Sequence, residues 1–313
     1  MIKRDTTLDY LRGFAILSIV IGHLYFFSDR AEGSVVWNIC NTIQIPIFIY
    51  VSGLLASKSI LKYSFTEFLK NRILRLIIPL GSIFVLWLLI HGITIASAIT
   101  FVTDEFKQGF WFLGVLFELM LILAVNQFLS KQYDIHRELL DAIVFLIINA
   151  YHFLVKGFED INQVLSLNLL WHYYPISLIG IYSEKLYKLF TIRLSFLYFF
   201  IYILAFYLMF IKNMHGMIAI CNLSSLFFFV TVFRNSYMFA KNAFAKAGVF
   251  SLEIYLLHIL AFGVIRNYIP IIENRWIEAI VFILLAGIIC CFFIGISFIL
   301  KKSKIINLLL FGD

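Results

Sequence analysis

The chain has 313 residues, 62% of them hydrophobic and 14% charged, whereas a soluble domain carries about 25% charged residues. With a mean hydropathy of +0.96, it has too few polar side chains to coat a water-soluble globule, which leaves a multi-span membrane protein. The formal charge of +7 then belongs to loops between apolar spans, which excludes nucleic-acid binding as its explanation. Cys40, Cys221, Cys290 and Cys291 form no C-x-x-C pair and no metal spacing. They read as small hydrophobes in helices, with neither a disulfide nor a metal.

A membrane-crossing helix needs about 20 mostly apolar residues. Six runs lack any Asp, Glu, Lys or Arg: 33–57, 76–103, 161–183, 194–211, 213–233 and 279–300. Four more, near 8–28, 108–130, 139–155 and 247–268, contain one or two of these four residue types. Together they predict an all-α polytopic membrane protein, a bundle of about ten transmembrane helices. Short connections leave room for one transmembrane domain over 1–313 and no fused soluble domain. The first run follows Lys3 and Arg4, as a signal peptide's would. It holds Arg12 and His23 and meets no small-x-small cleavage site, so it reads as a retained span. With the N-terminus inside, inner segments hold 18 Lys and Arg residues and outer segments 6, Arg12 lying within a span. This asymmetry predicts that both termini are cytoplasmic.

Ionisable residues within spans are costly, by about 2.5–3.5 kcal/mol on insertion scales, and are functional candidates by default. They are Asp9, Arg12 and His23 in the first span, Glu118 in the fourth, His172 in the sixth, and Glu253 and His258 in the ninth. His91 and His152 fall near outer ends, where water reaches them. Arg12 and His23 are separated by 11 residues, three turns plus about 20°, so they project from one face roughly 16 Å apart along the axis. Asp9, three residues before Arg12, can offset its charge. The spacing describes a polar stripe suited to joining a cytoplasmic anionic donor to an acceptor reached from outside, with His23 as a general base. A buried Arg–Asp pair with a packing histidine accounts for the same residues structurally.

In the second span, Ser52-Gly53 admits the close approach of a helix or ligand, and Pro46 opens the backbone ladder. Arg72 and Arg75, at i,i+3 on one predicted helix face, suit phosphate oxygens; a lipid-headgroup anchor is the plainer account. Trp111 opens the fourth span as an interfacial aromatic, and Glu118 lies about 10 Å deeper, where a lone carboxylate is protonated or paired. In the ninth span Ser251, Tyr255 and His258 recur at i, i+4 and i+7 on one face, a pattern that a hydrogen-bonded helix seam also explains.

In this order, the segments resemble the integral-membrane acyltransferase family 3. The resemblance rests on L-D-x-L-R-G at 8–13, the Arg12–His23 spacing, Ser52-Gly53 after an aromatic stretch, Arg72, Arg75 and Pro79, W-F-L at 111–113, and S-x-x-I-Y-L-L-H at 251–258. It covers nearly the whole chain; Glu253 stands where the motif usually has a neutral residue. The family comprises ten-helix enzymes that move acetyl or other short acyl groups onto surface glycans. The resemblance implies His23 as the catalytic base, Arg12 holding the donor or orienting the His23 face, and Arg72 and Arg75 on the phosphates of a cytoplasmic acyl-CoA. Ser52 would help wall the reaction chamber, with Asp9, Trp111, Glu118, Ser251, Tyr255 and His258 in support. It implies acetyl-CoA or another acyl-CoA as co-substrate, no bound cofactor, a surface polysaccharide or lipid-linked sugar as acceptor, and a bacterial inner membrane. Tyr255, Ser52 and His23 stay open as carriers of an acyl-enzyme. A transporter of a glycolipid or small solute using the same stripe is the competing reading, although no internal repeat supports it.

Overall fold

The computed structural model describes residues 6–154, 164–235 and 241–312. Lys3, Arg4 and Lys156, and the side chains of His91 and Lys241, lie outside the described residues. Among those described, all regular structure is helical, as a chain that must satisfy its backbone without water requires. In chain order the helices are α1 Thr6–Phe27, α2 Val35–Lys62, α3 Phe65–Arg72, α4 Ile78–His91, α5 Ile95–Thr103, α6 Trp111–Tyr133, α7 Arg137–Leu154, α8 Leu167–Ile181, α9 Ile192–Phe210, α10 Ile218–Asn235, α11 Lys241–Val249, α12 Ser251–Ile265, α13 Arg275–Leu300 and α14 Lys304–Phe311. Seven helical stretches among the described residues are long and apolar enough to cross a membrane, or up to eight if the pair bent by 73° between α11 and α12 forms one span.

Two of the expected spans have different limits. The third, expected over 76–103, begins earlier, because α3 runs through a π-type turn at Ile73–Ile77 into α4. It ends at Gly92, whose φ of +99° stops the helix. Thr94 then caps the separate helix α5 by accepting from the Ser97 amide. The ninth, expected over 247–268, is broken at Phe250, where α11 meets α12 at the bend.

The chain forms two compact units, residues 1–51 with 183–299 and residues 52–182 with 300–313. In the first, α1 packs against α10, α11 and α12, and α9 lies along α10. The tightest crossing is glycine on glycine. A Cβ on Gly13 would overlap the Phe244 carbonyl, and one on Gly248 would overlap the Asp9 carbonyl. α11 therefore rests directly on the backbone of α1. Polar side chains tie α2 to its neighbours: Ser225 Oγ donates to the Thr42 carbonyl at 2.6 Å, Thr42 Oγ1 meets the Tyr202 hydroxyl at 2.9 Å, and Tyr50 meets Ser183 at 2.7 Å.

In the second unit, a Ser64–Glu67 capping box starts α3, and α6, α7 and α8 pack mutually. Gly53 admits the Ser177 carbonyl of α8 so closely that a Cβ there would overlap it. α14 lies on α4 and ends at Gly312, with φ of +69°, pressed against the backbone of Leu74 and Arg75. Cys40, Cys221 and Cys290 are buried free thiols, and Cys291 is exposed.

Candidate active site

α1 carries Asp9, Arg12 and His23 on one unbroken helix in the first unit. Near its start, Arg12 Nη1 lies 3.7 Å from the buried Asp9 carboxylate, with the arginine about a quarter exposed. Eleven residues on, His23 faces α12, where its Nδ1 lies 2.8 Å from His258 Nε2. The two rings lie nearly parallel, with centroids 4.9 Å apart. His258 is fully buried, and its Nδ1 lies 2.7 Å from the Ile254 carbonyl.

That carbonyl orders the protons. A carbonyl oxygen can only accept, so His258 Nδ1 carries the hydrogen. A neutral His258 then offers a lone pair at Nε2, which accepts from His23 Nδ1–H. The remaining nitrogen of His23, Nε2, is left with a free lone pair, the form a general base needs. Phe27 packs edge-on to His23 with centroids 6.0 Å apart, Phe262 edge-on to His258 at 5.5 Å, and Tyr255 lies 6.1 Å from the His258 ring. Tyr255 and Glu253 are buried and Ser251 is half-buried. The face of α12 expected from spacing thus delivers His258 to His23.

The second unit holds the other candidates. Arg72 is half-buried, its guanidinium 4.7 Å from the centre of the Phe68 ring, and Arg75 is exposed. Arg72 ends α3 and Arg75 falls within the π-type turn Ile73–Ile77, so the step between them is not regular α-helix. Trp111 stacks on Tyr173, centroids 5.8 Å apart. Glu118 is half-buried, and its Oε2 has no hydrogen-bond partner among the described residues. Ser52 is half-buried beside Gly53. His152 is not simply wetted: it stacks on Trp171 at 4.1 Å, and Trp171 Nε1 donates to Asn149 at 2.9 Å. His172 is half-buried against the same indole.

Two polar clusters had no place in the sequence reading. In the second unit the buried Asp141 carboxylate accepts from Asn126 Nδ2 at 2.7 Å and from the Tyr182 hydroxyl, with Arg137 Nε 3.5 Å away. The i,i+4 spacing of Arg137 and Asp141 was a readable signal. In the first unit the fully buried Glu278 lies between Arg30 at 3.3 Å and Arg275 at 3.2 Å. The pairing of Arg275 with Glu278 was legible at i,i+3, whereas Arg30 comes from a distant part of the chain. Among the described residues, no group of three or more His, Cys, Asp or Glu could hold a metal ion.

A family profile described as an acyltransferase domain matches residues 5–300. Nodulation protein NolL of Sinorhizobium fredii is similar at 34% identity over 83 residues, 25% of this chain and 23% of that protein. Nodulation protein NolL of Mesorhizobium japonicum is similar at 31% over 83 residues, 25% of this chain and 22% of that protein. The chain thus spans less than a quarter of the length of these curated relatives. No solved structure matches.

Proposed function

Because the chain belongs to the acyltransferase 3 family, and so takes an acyl donor and an acceptor, we propose that it moves an acetyl group from cytoplasmic acetyl-CoA to a hydroxyl of a surface or lipid-linked glycan, with His23 as the general base. The observation that carries this reading is the chain of contacts from the Ile254 carbonyl through His258 to His23. It supports a neutral His23 whose Nε2 accepts a proton.

In the proposed reaction, His23 Nε2 takes the acceptor hydroxyl proton as the hydroxyl oxygen bonds to the thioester carbonyl carbon. The carbon–sulfur bond then breaks and CoA leaves as a thiolate, to which the proton on His23 can pass. His258 holds the ring of His23 and shares the charge that develops on it. Arg12, its charge offset by Asp9, is assigned to orienting the donor or the His23 face. In the second unit Arg72 and Arg75 are assigned to the donor's phosphates, and Ser52, Trp111 and Glu118 to supporting roles. The excess of 18 inner over 6 outer basic residues supports ten spans in one transmembrane domain with cytoplasmic termini, set in a bacterial inner membrane.

Purified protein supplied with labelled acetyl-CoA and a glycan acceptor tests this. Release of CoA together with label in the glycan supports the reading. Movement of glycan across vesicles without CoA release would support the transporter instead.

A further inference from the structure

The Arg30–Glu278–Arg275 cluster stands at one end of an open apolar groove in the same unit. The groove encloses about 420 Å³ and is lined by Leu24, Ile265, Pro270, Val281, Leu284 and Ile288 among others. That volume falls within the range of small-ligand pockets, roughly 300–1,000 Å³. Val281, Leu284 and Ile288 lie one to three turns beyond Glu278 on α13, so the groove runs about 10 Å or more along that helix away from the cluster.

Its charged end is unbalanced. Two guanidiniums, of Arg30 and Arg275, meet the one carboxylate of Glu278. Arg30 lies within ion-pair distance of Glu278, and its Nη2 donates to the Ile272 carbonyl at 2.9 Å. The Arg275 side chain is half exposed, and its Nη1 donates to Glu278 Oε2 at 3.2 Å. The neighbouring Trp276 is 83% exposed and Tyr268 is 85% exposed, the amphipathic rings that settle at the level of lipid headgroups. A half-exposed guanidinium near the start of an apolar groove along α13 complements an amphiphile with a phosphate head and a hydrocarbon tail. Leu24, which lines the groove, directly follows His23 in α1.

We propose that this groove binds the tail of a lipid phosphate carrying the acceptor sugar, with Arg275 on the phosphate. The inference rests on the acyl-transfer reading above and narrows its acceptor to a lipid-linked one.

The test uses the full-length protein in phosphatidylcholine nanodiscs, titrated with a labelled polyisoprenyl phosphate. Saturable binding is expected, weakened at least tenfold by Arg275→Gln and largely retained in Arg275→Lys. Leu284→Trp and Ile288→Trp should also weaken it by filling the groove. Both leucine and isoleucine are well exposed, so these variants should fold. The neutral polyisoprenol should bind much more weakly, and neither inorganic phosphate nor phosphatidylglycerol should compete. Affinity unchanged in the groove and Arg275→Gln variants, or equal competition by phosphatidylglycerol, would overturn the proposal, the latter marking a groove for bulk lipid. His23→Ala should keep the lipid affinity while losing acyl transfer, so failure of the base assignment and failure of the lipid site read out separately.

Discussion

The carbonyl of Ile254 and the imidazole of His258 lie one helical turn apart on α12, and their 2.7 Å contact determines which nitrogen His258 offers to His23. A backbone carbonyl held inside a helix cannot rotate away or change its protonation. It therefore fixes the tautomer of His258 more firmly than a side-chain partner would, and through it the tautomer of His23. This follows the general rule that the hydrogen bond made by one ring nitrogen sets the role of the other.

His258 is accordingly a positioning residue. His258→Phe preserves the ring volume and the packing against Phe262 but removes both nitrogens. We expect kcat to fall about 100-fold, within the range of general acid–base effects, with the KM for acyl-CoA little changed and the pH–rate profile altered. A His258→Phe enzyme with wild-type kcat and pH profile would reduce His258 to packing.

The glycine crossing of α1 and α11 sets the position of Arg12. Gly248→Ala would force its methyl into the Asp9 carbonyl, and Gly13→Ala would meet Phe244 in the same way. Overpacking of this kind destabilises by about 1–3 kcal/mol or more. Each variant should melt at a lower temperature in detergent than the parent, whereas Gly263→Ala, at a glycine with open space around it, should not. Unchanged melting of Gly248→Ala would contradict the close contact.

The donor assignment stands apart from the histidine pair. Arg72→Ala combined with Arg75→Ala should weaken CoA binding at least tenfold in a direct titration, each guanidinium–phosphate contact contributing on the order of 1.5–3 kcal/mol. Unchanged CoA affinity would return both residues to the lipid-headgroup anchor. The π turn makes the two unequal. The half-buried Arg72, packed on Phe68, should also lower stability when removed, and the exposed Arg75 should not.

Much of this was legible locally and the rest was not, for physical reasons. Apolar run length placed the helices, because a bilayer demands it. The i,i+3 spacing exposed the Asp9–Arg12 pair, and the i, i+4, i+7 face of α12 picked out His258. The partner of His23 was hidden, because residues 23 and 258 meet only through tertiary packing, which no periodicity encodes. The same holds for Arg30 and Glu278. The end of α4 at Gly92 was obscured because residues 76–103 stay apolar through the break, so hydropathy ran past a stop that backbone conformation imposes. The π turn at Ile73–Ile77 left no compositional trace. Gly13 was read as part of a motif, whereas its role against α11 depended on Gly248 arriving from the far end of the chain.

The central claim is that His23 takes the acceptor's proton. The most direct measurement is acyl transfer by His23→Ala compared with the parent, both reconstituted at equal amounts and shown to melt alike. The account predicts transfer at least 100-fold slower in the variant, with CoA affinity retained. Transfer at the parental rate in a well-folded His23→Ala protein would contradict it.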